Sequence, residues 1–275
     1  MRRLTLTALA AGVAVAAMAQ PVLAQTPSAP AQRAPAPAKP AAPPAAPALP
    51  AQKPYKAVAV TLPPPTRDAG LDALRKDLGD IAKRKDRAAL AQRIVAKDFF
   101  WERDFSGSFD AGKPSVDNLA AALMLETDDS GWDTLAGFAA ESSVGPLPGR
   151  PSVVCSPAIP QFDEEARGQL IETTQTDGLE WNYPRAAGLQ VRAAPQPNAT
   201  IVDTLGLNFV HILGFEDKDS DTDPARTAWA RVATPSGKQG FVAPNSLVSP
   251  YADRLCYGKE GTGAWRIVGY VGGGD

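Results

Sequence analysis

The runs GLQVRAAP (188–195), IVDTL (201–205), FVHIL (209–213), WARVA (229–233) and QGFVA (239–243) follow one another with turn residues between them. Short runs rich in Val, Ile and aromatic residues at this spacing read as antiparallel strands, with Pro235-Ser236-Gly237-Lys238 as a hairpin turn. Two-residue alternation puts Val191, Val202, Val210, Ile212, Val232 and Val242 on one side, the inside of a small barrel over residues 186–250. Gly237 and Gly240 permit a tight hairpin that a side chain would obstruct. Aromatic residues Trp229, Phe241 and Tyr251 either close that small core or form a flat ligand-binding surface.

Upstream, the period changes from two to 3.6. Asp68 is a plausible N-cap, followed by Leu71, Leu74, Leu78 and Ile81 on one helical face. Asp86 restarts the pattern with Leu90, Ile94 and Val95 leading into Phe99-Phe100-Trp101, an aromatic anchor. A third helix is expected from Ser115 and a fourth over Trp132–Ala140, before Gly145-Pro146-Leu147-Pro148-Gly149 breaks the run. The fold class is therefore α+β: a helix-rich module over residues 66–180, then the small all-β barrel, then a C-terminal hairpin over 251–275.

The first residues carry a different message. Met1-Arg2-Arg3 precedes an apolar run from Leu4 to Ala19 and a small-residue cleavage site, Val22-Leu23-Ala24, so residues 1–24 read as a secretory signal peptide. The run is shorter than the roughly 20 residues that span a bilayer. No later stretch is a membrane-span candidate. Residues 25–65 form an Ala/Pro-rich linker, expected to be disordered and extended because proline has no backbone donor. It serves as an envelope spacer or is a tolerated leftover. Localisation is accordingly periplasmic or secreted.

The barrel stretch resembles the bacterial Src-homology-3 family, the SH3-like domains of exported proteins. The pattern is met at Leu189, Val191, Arg192, Pro195, Trp229, Val232, Gly237, Gly240, Phe241, Val242 and Leu247. That resemblance implies attachment to cell-wall material, peptides or a partner domain. Residues 83–101 (KRKDRAALAQRIVAKDFFW) and 254–271, ending AWRIVGYV, also resemble the cystatin-like cone domains, in which a long helix packs on a curved sheet.

An insertion departs from the SH3-like pattern. Asp217, Asp219, Asp221 and Asp223 alternate as in the start of a calcium loop, but Thr222 stands where that motif needs Gly, and Ala228 where it needs Glu. A solvated acidic loop is the simpler reading. In the exported compartment Cys155 and Cys256 are expected to form a disulfide clasping the barrel's flanks, with two buried thiols as the alternative.

Chemistry-bearing motifs are sparse. The single histidine, His211, alternates out of the apolar face, and there is no Gly-x-Ser-x-Gly, Ser-x-x-Lys, phosphate loop or His-rich zinc motif. Asp163, Glu164 and Glu165 are the nearest carboxylate cluster, but Phe162, Ala166, Leu170 and Ile171 around them mark the first turn of an amphipathic helix. Residues 57–275 hold 22 basic and 30 acidic side chains, a net −8 that repels nucleic acid. The expectation is a non-enzymatic binding protein without a cofactor, its partner a cell-wall polymer or envelope protein. The alternatives are a carboxylate-based enzyme or small-ligand binder with a pocket in the N-terminal module, and a purely structural scaffold.

Overall fold

The structure, a computed structural model, describes residues 49–127, 129–216 and 228–274. In chain order the first half contains β1 (Val60–Thr61), α1 (Ala69–Arg84), α2 (Arg87–Ala91), β2 (Phe100–Glu102), α3 (Ser115–Leu123), α4 (Ser130–Ala140), β3 (Gly145–Leu147), β4 (Arg150–Ser156), β5 (Gln161–Phe162) and α5 (Glu164–Thr174). The second half is strand: β6 (Trp181–Pro184), β7 (Leu189–Arg192), β8 (Ile201–Leu205), β9 (Val210–Glu216), β10 (Trp229–Ala233), β11 (Gln239–Val242), β12 (Leu247–Val248), β13 (Arg254–Lys259) and β14 (Trp265–Val271).

Helix α1 starts where Asp68 accepts hydrogen bonds from the Gly70 and Leu71 amides, and it stops at Lys85 in the left-handed conformation. Its stripe of Leu71, Leu74, Leu78 and Ile81 packs with Leu119 of α3 and Leu135 and Phe138 of α4. The floor beneath these helices is a five-stranded sheet in the order β2-β14-β13-β4-β3, which supplies Leu255, Tyr257, Ile267 and Tyr270. The C-terminal hairpin therefore belongs to the helical region and fills the middle of its sheet. Burial pushes the Tyr257 phenol far above its ordinary value.

Residues 181–248 form a seven-stranded antiparallel sheet in the order β12-β6-β9-β10-β11-β7-β8. Val191, Leu205, Val210, Ala230, Val232, Val242 and Leu247 meet in one core, so strands from both ends of the sheet curl around a common interior. The curl stays open among the described residues: β12 and β8 are not paired with each other, where the alternation had predicted a barrel. Extra backbone enters on β9, where the register with β10 shifts between Arg231 and Val232. Gly240 is required because a Cβ there would lie 2.6 Å from both the Arg192 carbonyl oxygen and Val191 Cγ1.

The segment before α1 corrects the reading of residues 25–65 as linker. Residues 52–62 are packed as a strap on the outside of the seven-stranded sheet, with Val58 and Val60 buried. Backbone bonds hold it: Gln52 N donates to Gly237 O (2.7 Å), Tyr55 N to Pro235 O (3.1 Å), Val60 N to Leu207 O (3.0 Å), and Phe209 N to Val58 O (3.0 Å). β1 then pairs with β5 through Val60 and Phe162. The alternation Val58, Val60, Leu62 within an Ala/Pro-rich neighbourhood was the sequence signal for this strand. The signal peptide and the remainder of the expected linker, up to residue 48, lie outside the described residues.

Two cross-links hold the chain, one within a region and one between the two. Cys155 and Cys256 form a disulfide between facing positions of β4 and β13, and both are fully buried. The bond thus lies inside the five-stranded sheet, and the chain it closes contains the whole seven-stranded one. The second tie is the ion pair of Arg185, just after β6, with Glu141 at the end of α4, a carboxylate whose side chain is 4% exposed. Arg185 also donates to Asn245 O (2.7 Å), and Glu141 accepts from Ser143 N (3.0 Å). Among the described residues no helix is long and apolar enough to cross a membrane.

Candidate functional site

Alternation along the strands of the curled sheet sends half of its side chains outward, and the outward face is divided. Over one half lie α5 and the strap. Trp181, Tyr183, Phe209 and Val248 are buried there with Leu170 of α5 and Val58 and Val60 of the strap. The Tyr55 ring meets Trp181 edge-on at 4.9 Å, and its hydroxyl donates to Ala233 O (2.9 Å). Burial raises the Tyr55 phenol well above its usual range and Tyr183 to about 12. Arg167 of α5 adds a cation to this packing. Its guanidinium lies 5.9, 5.5 and 4.9 Å from the ring centres of Phe162, Phe209 and Tyr251 and donates to Gly178 O.

Among the described residues no helix packs on the other half of the outward face. Phe241 of β11 stands directly between Arg231 of β10 and Arg192 of β7. Trp229, two residues before Arg231, shares their face and is half-buried. Phe241 itself is only 7% exposed, so it supports this surface more than it presents one. The Arg231 side chain is 39% exposed and its Nε lies 4.0 Å from Glu216 Oε1. Arg192 donates to Ala199 O (2.8 Å) and Gln190 Oε1 (2.6 Å). A half-buried indole beside one guanidinium, with a second across the buried Phe241, suits a flat ligand that carries carboxylates.

The structure thus brings Trp229 and Phe241 together and separates Tyr251 from them, since Tyr251 is held beneath Arg167. The two arginines were missed as a pair because nothing in the spacing of positions 192 and 231 shows that β7 and β10 flank one strand. Asp217, Asp219, Asp221 and Asp223 lie outside the described residues. Among those described, no group of three or more His, Cys, Asp or Glu is placed to hold a metal ion.

His211 faces the covered half. Its ring stacks on Trp181 at 5.0 Å with the planes 21° apart, and its Nε2 lies 3.1 Å from Glu180 Oε2. Asp163 caps α5 by accepting from Ala166 N (3.0 Å), with Glu164 and Glu165 in the first turn, so this carboxylate cluster is the start of a helix.

The N-terminal module is packed between helices and sheet, where Leu71, Leu78, Ile81, Leu90, Leu119, Leu135, Leu255, Tyr257 and Ile267 are all fully buried. Its cleft is elsewhere, an open space of about 480 Å³ beside α3, lined by Arg87, Lys113, Asp117, Ala120, Met124 and Glu126 among others. Both carboxylates of that cleft are engaged by Arg87, at 2.6 Å for Asp117 and 3.5 Å for Glu126.

Comparison with known proteins returns no match among family models, curated proteins or solved structures.

Proposed function

We propose that this chain is an exported, non-enzymatic binding protein. Its second half is an SH3-like module that holds cell-envelope material, peptidoglycan or peptide, or a protein partner, against the open half of its sheet. The observation that carries the reading is the division of the outward face: one half is sealed by this chain's own α5 and strap, whereas on the other Phe241 sits between Arg192 and Arg231, with Trp229 beside Arg231 on β10, and among the described residues no helix packs over them. Export is supported by the signal-like residues 1–24 and by a disulfide buried in the fold. The cone-domain likeness of residues 83–101 and 254–271 adds nothing to this reading, since 83–101 hold the end of α1, the five-residue α2 and the start of β2 and not a long helix.

Co-sedimentation with insoluble peptidoglycan tests this, comparing the chain from Gln25 with a W229A/R231A variant. Trp229 is half-buried, so the variant should lose on the order of 1–2 kcal/mol of stability yet stay folded, while most of the sedimented fraction is lost. Equal sedimentation of the two proteins, or none of either, would overturn the wall-binding form of the proposal. A second reading, a small-ligand binder, has its place in the cleft beside α3. It predicts ligand-dependent stabilisation that K113A and M124A reduce and W229A does not.

A further inference from the structure

Residues 104–110, Asp-Phe-Ser-Gly-Ser-Phe-Asp, leave two phenylalanine rings in solvent: Phe105 is 68% exposed and Phe109 37%. The loop that presents them is braced at both ends. Asp104 accepts from Ser106 N (3.2 Å), Ser106 Oγ (2.6 Å) and Phe109 N (2.7 Å), and Gly107 N donates to Asp104 O (3.3 Å). At the far end the buried Asn118 side chain accepts from Asp110 N and donates to Asp110 O, both at 2.9 Å. These bonds hold the backbone from which both rings project, so the fold itself presents them at the surface.

We propose that this loop is a membrane-contact finger whose two rings enter the interface of a phospholipid bilayer. Between its two aspartates the tip carries no charge, and the Ser106, Gly107 and Phe109 amides already have partners inside the loop. Entry into a low-dielectric layer therefore strands few polar groups. A protein partner would be met with about one hydrogen bond per 100–200 Å², and a tip that uses its donors internally is poorly suited to that. Self-association is no better served. Two aromatic side chains cover at most about 500 Å², under the roughly 800 Å² per partner of a stable interface. Since residues 57–275 carry a net −8, anionic lipid is not the preferred surface, and the contact rests on apolar insertion into zwitterionic lipid. This inference is independent of the sheet-binding proposal.

The test is flotation of the chain from Gln25, which lacks the apolar Leu4–Ala19 run, with phosphatidylcholine vesicles and with vesicles that also contain phosphatidylglycerol. The parent protein should float with phosphatidylcholine vesicles at both low and high salt. The F105S/F109S variant should need at least about tenfold more lipid for half-binding. Leu179→Ser, at a leucine that is 60% exposed elsewhere, should bind as the parent does. Unchanged thermal unfolding shows that the variants are folded. The proposal fails if the parent floats with neither vesicle, as a protein-directed finger would behave. It also fails if F105S/F109S floats like the parent, or if flotation needs phosphatidylglycerol and vanishes with salt.

Discussion

The two sheets of this protein cover their apolar faces by different means. The five-stranded sheet is roofed by α1, α3 and α4, helices whose Leu-rich stripes declare themselves in sequence. The seven-stranded sheet encloses one face by curling and seals half of the other with α5 and a strap taken from upstream of the first helix. Dense helical stripes produce a filled layer, whereas curling leaves an outward surface that other segments cover only in part. The open remainder is where recognition can occur. The binding surface proposed above is what α5 and the strap leave uncovered.

The sharpest way to break this comparison is to open the Cys155–Cys256 bond, whose partners are 101 residues apart and whose loop contains the entire seven-stranded sheet. For a loop of that size the chain-entropy model gives a loss of up to about 4.7 kcal/mol. Urea unfolding of C155S/C256S should show it as one transition shifted to lower concentration, with both regions moving together. Two separated transitions would mean that the sheets are stable independently.

A smaller effect, about 3 kcal/mol, is expected for V58A/V60A, which removes four buried methyl groups from the strap. Trp181, buried beneath α5 and the strap, should become wetter and its emission should move to longer wavelength. A stability loss with no change at Trp181 would show that the strap does not seal this half of the seven-stranded sheet.

The least effect concerns the helical roof. Asp68 joins α1 to β13 and β14, accepting from Lys259 Nζ (2.9 Å) and Trp265 Nε1 (2.8 Å), which hold its carboxyl down to about 2 from 3.8. A depressed carboxylate stabilises the fold fully above its unfolded value and loses that contribution as pH falls through the folded one. D68N keeps a capping oxygen but loses the charge facing Lys259. Its Tm should lie slightly below the parent's at pH 6, with the gap closing between about pH 4 and pH 2. A gap constant across that range would show that Asp68 acts as a cap alone.

Much of this architecture can be read from the residues. The starts of α1 at Asp68 and α3 at Ser115, and the succession β7 to β11, follow local rules of capping, period and turn chemistry that need no knowledge of distant partners. What escaped reading depends on pairing across the chain. The helix expected from Asp86 was to lead through Ile94 and Val95 into Phe99-Phe100-Trp101 as an aromatic anchor, but α2 stops at Ala91 and β2 pairs in parallel with β14, some 170 residues later. The strap was hidden by composition, since Ala and Pro around Val58 and Val60 lower the apparent apolar content of a strand that is buried on one side only. For the site, the aromatic members Trp229 and Phe241 were legible as residue types. Their arginine flanks were not, because register rather than spacing puts Arg192 and Arg231 on either side of Phe241.

The position of the last hairpin bears on how such a chain matures. Strands β13 and β14 lie in the middle of the five-stranded sheet, between β2 and β4. A polypeptide that emerges from its amino end must therefore keep its earliest helices without a floor until residues near 270 have arrived. The apolar stripes of α1, α3 and α4 remain solvent-facing through that interval. Completion of the amino-terminal half is thus timed by delivery of the carboxyl-terminal one, so a chain cut short before β14 should become a client of holding chaperones rather than a smaller stable protein.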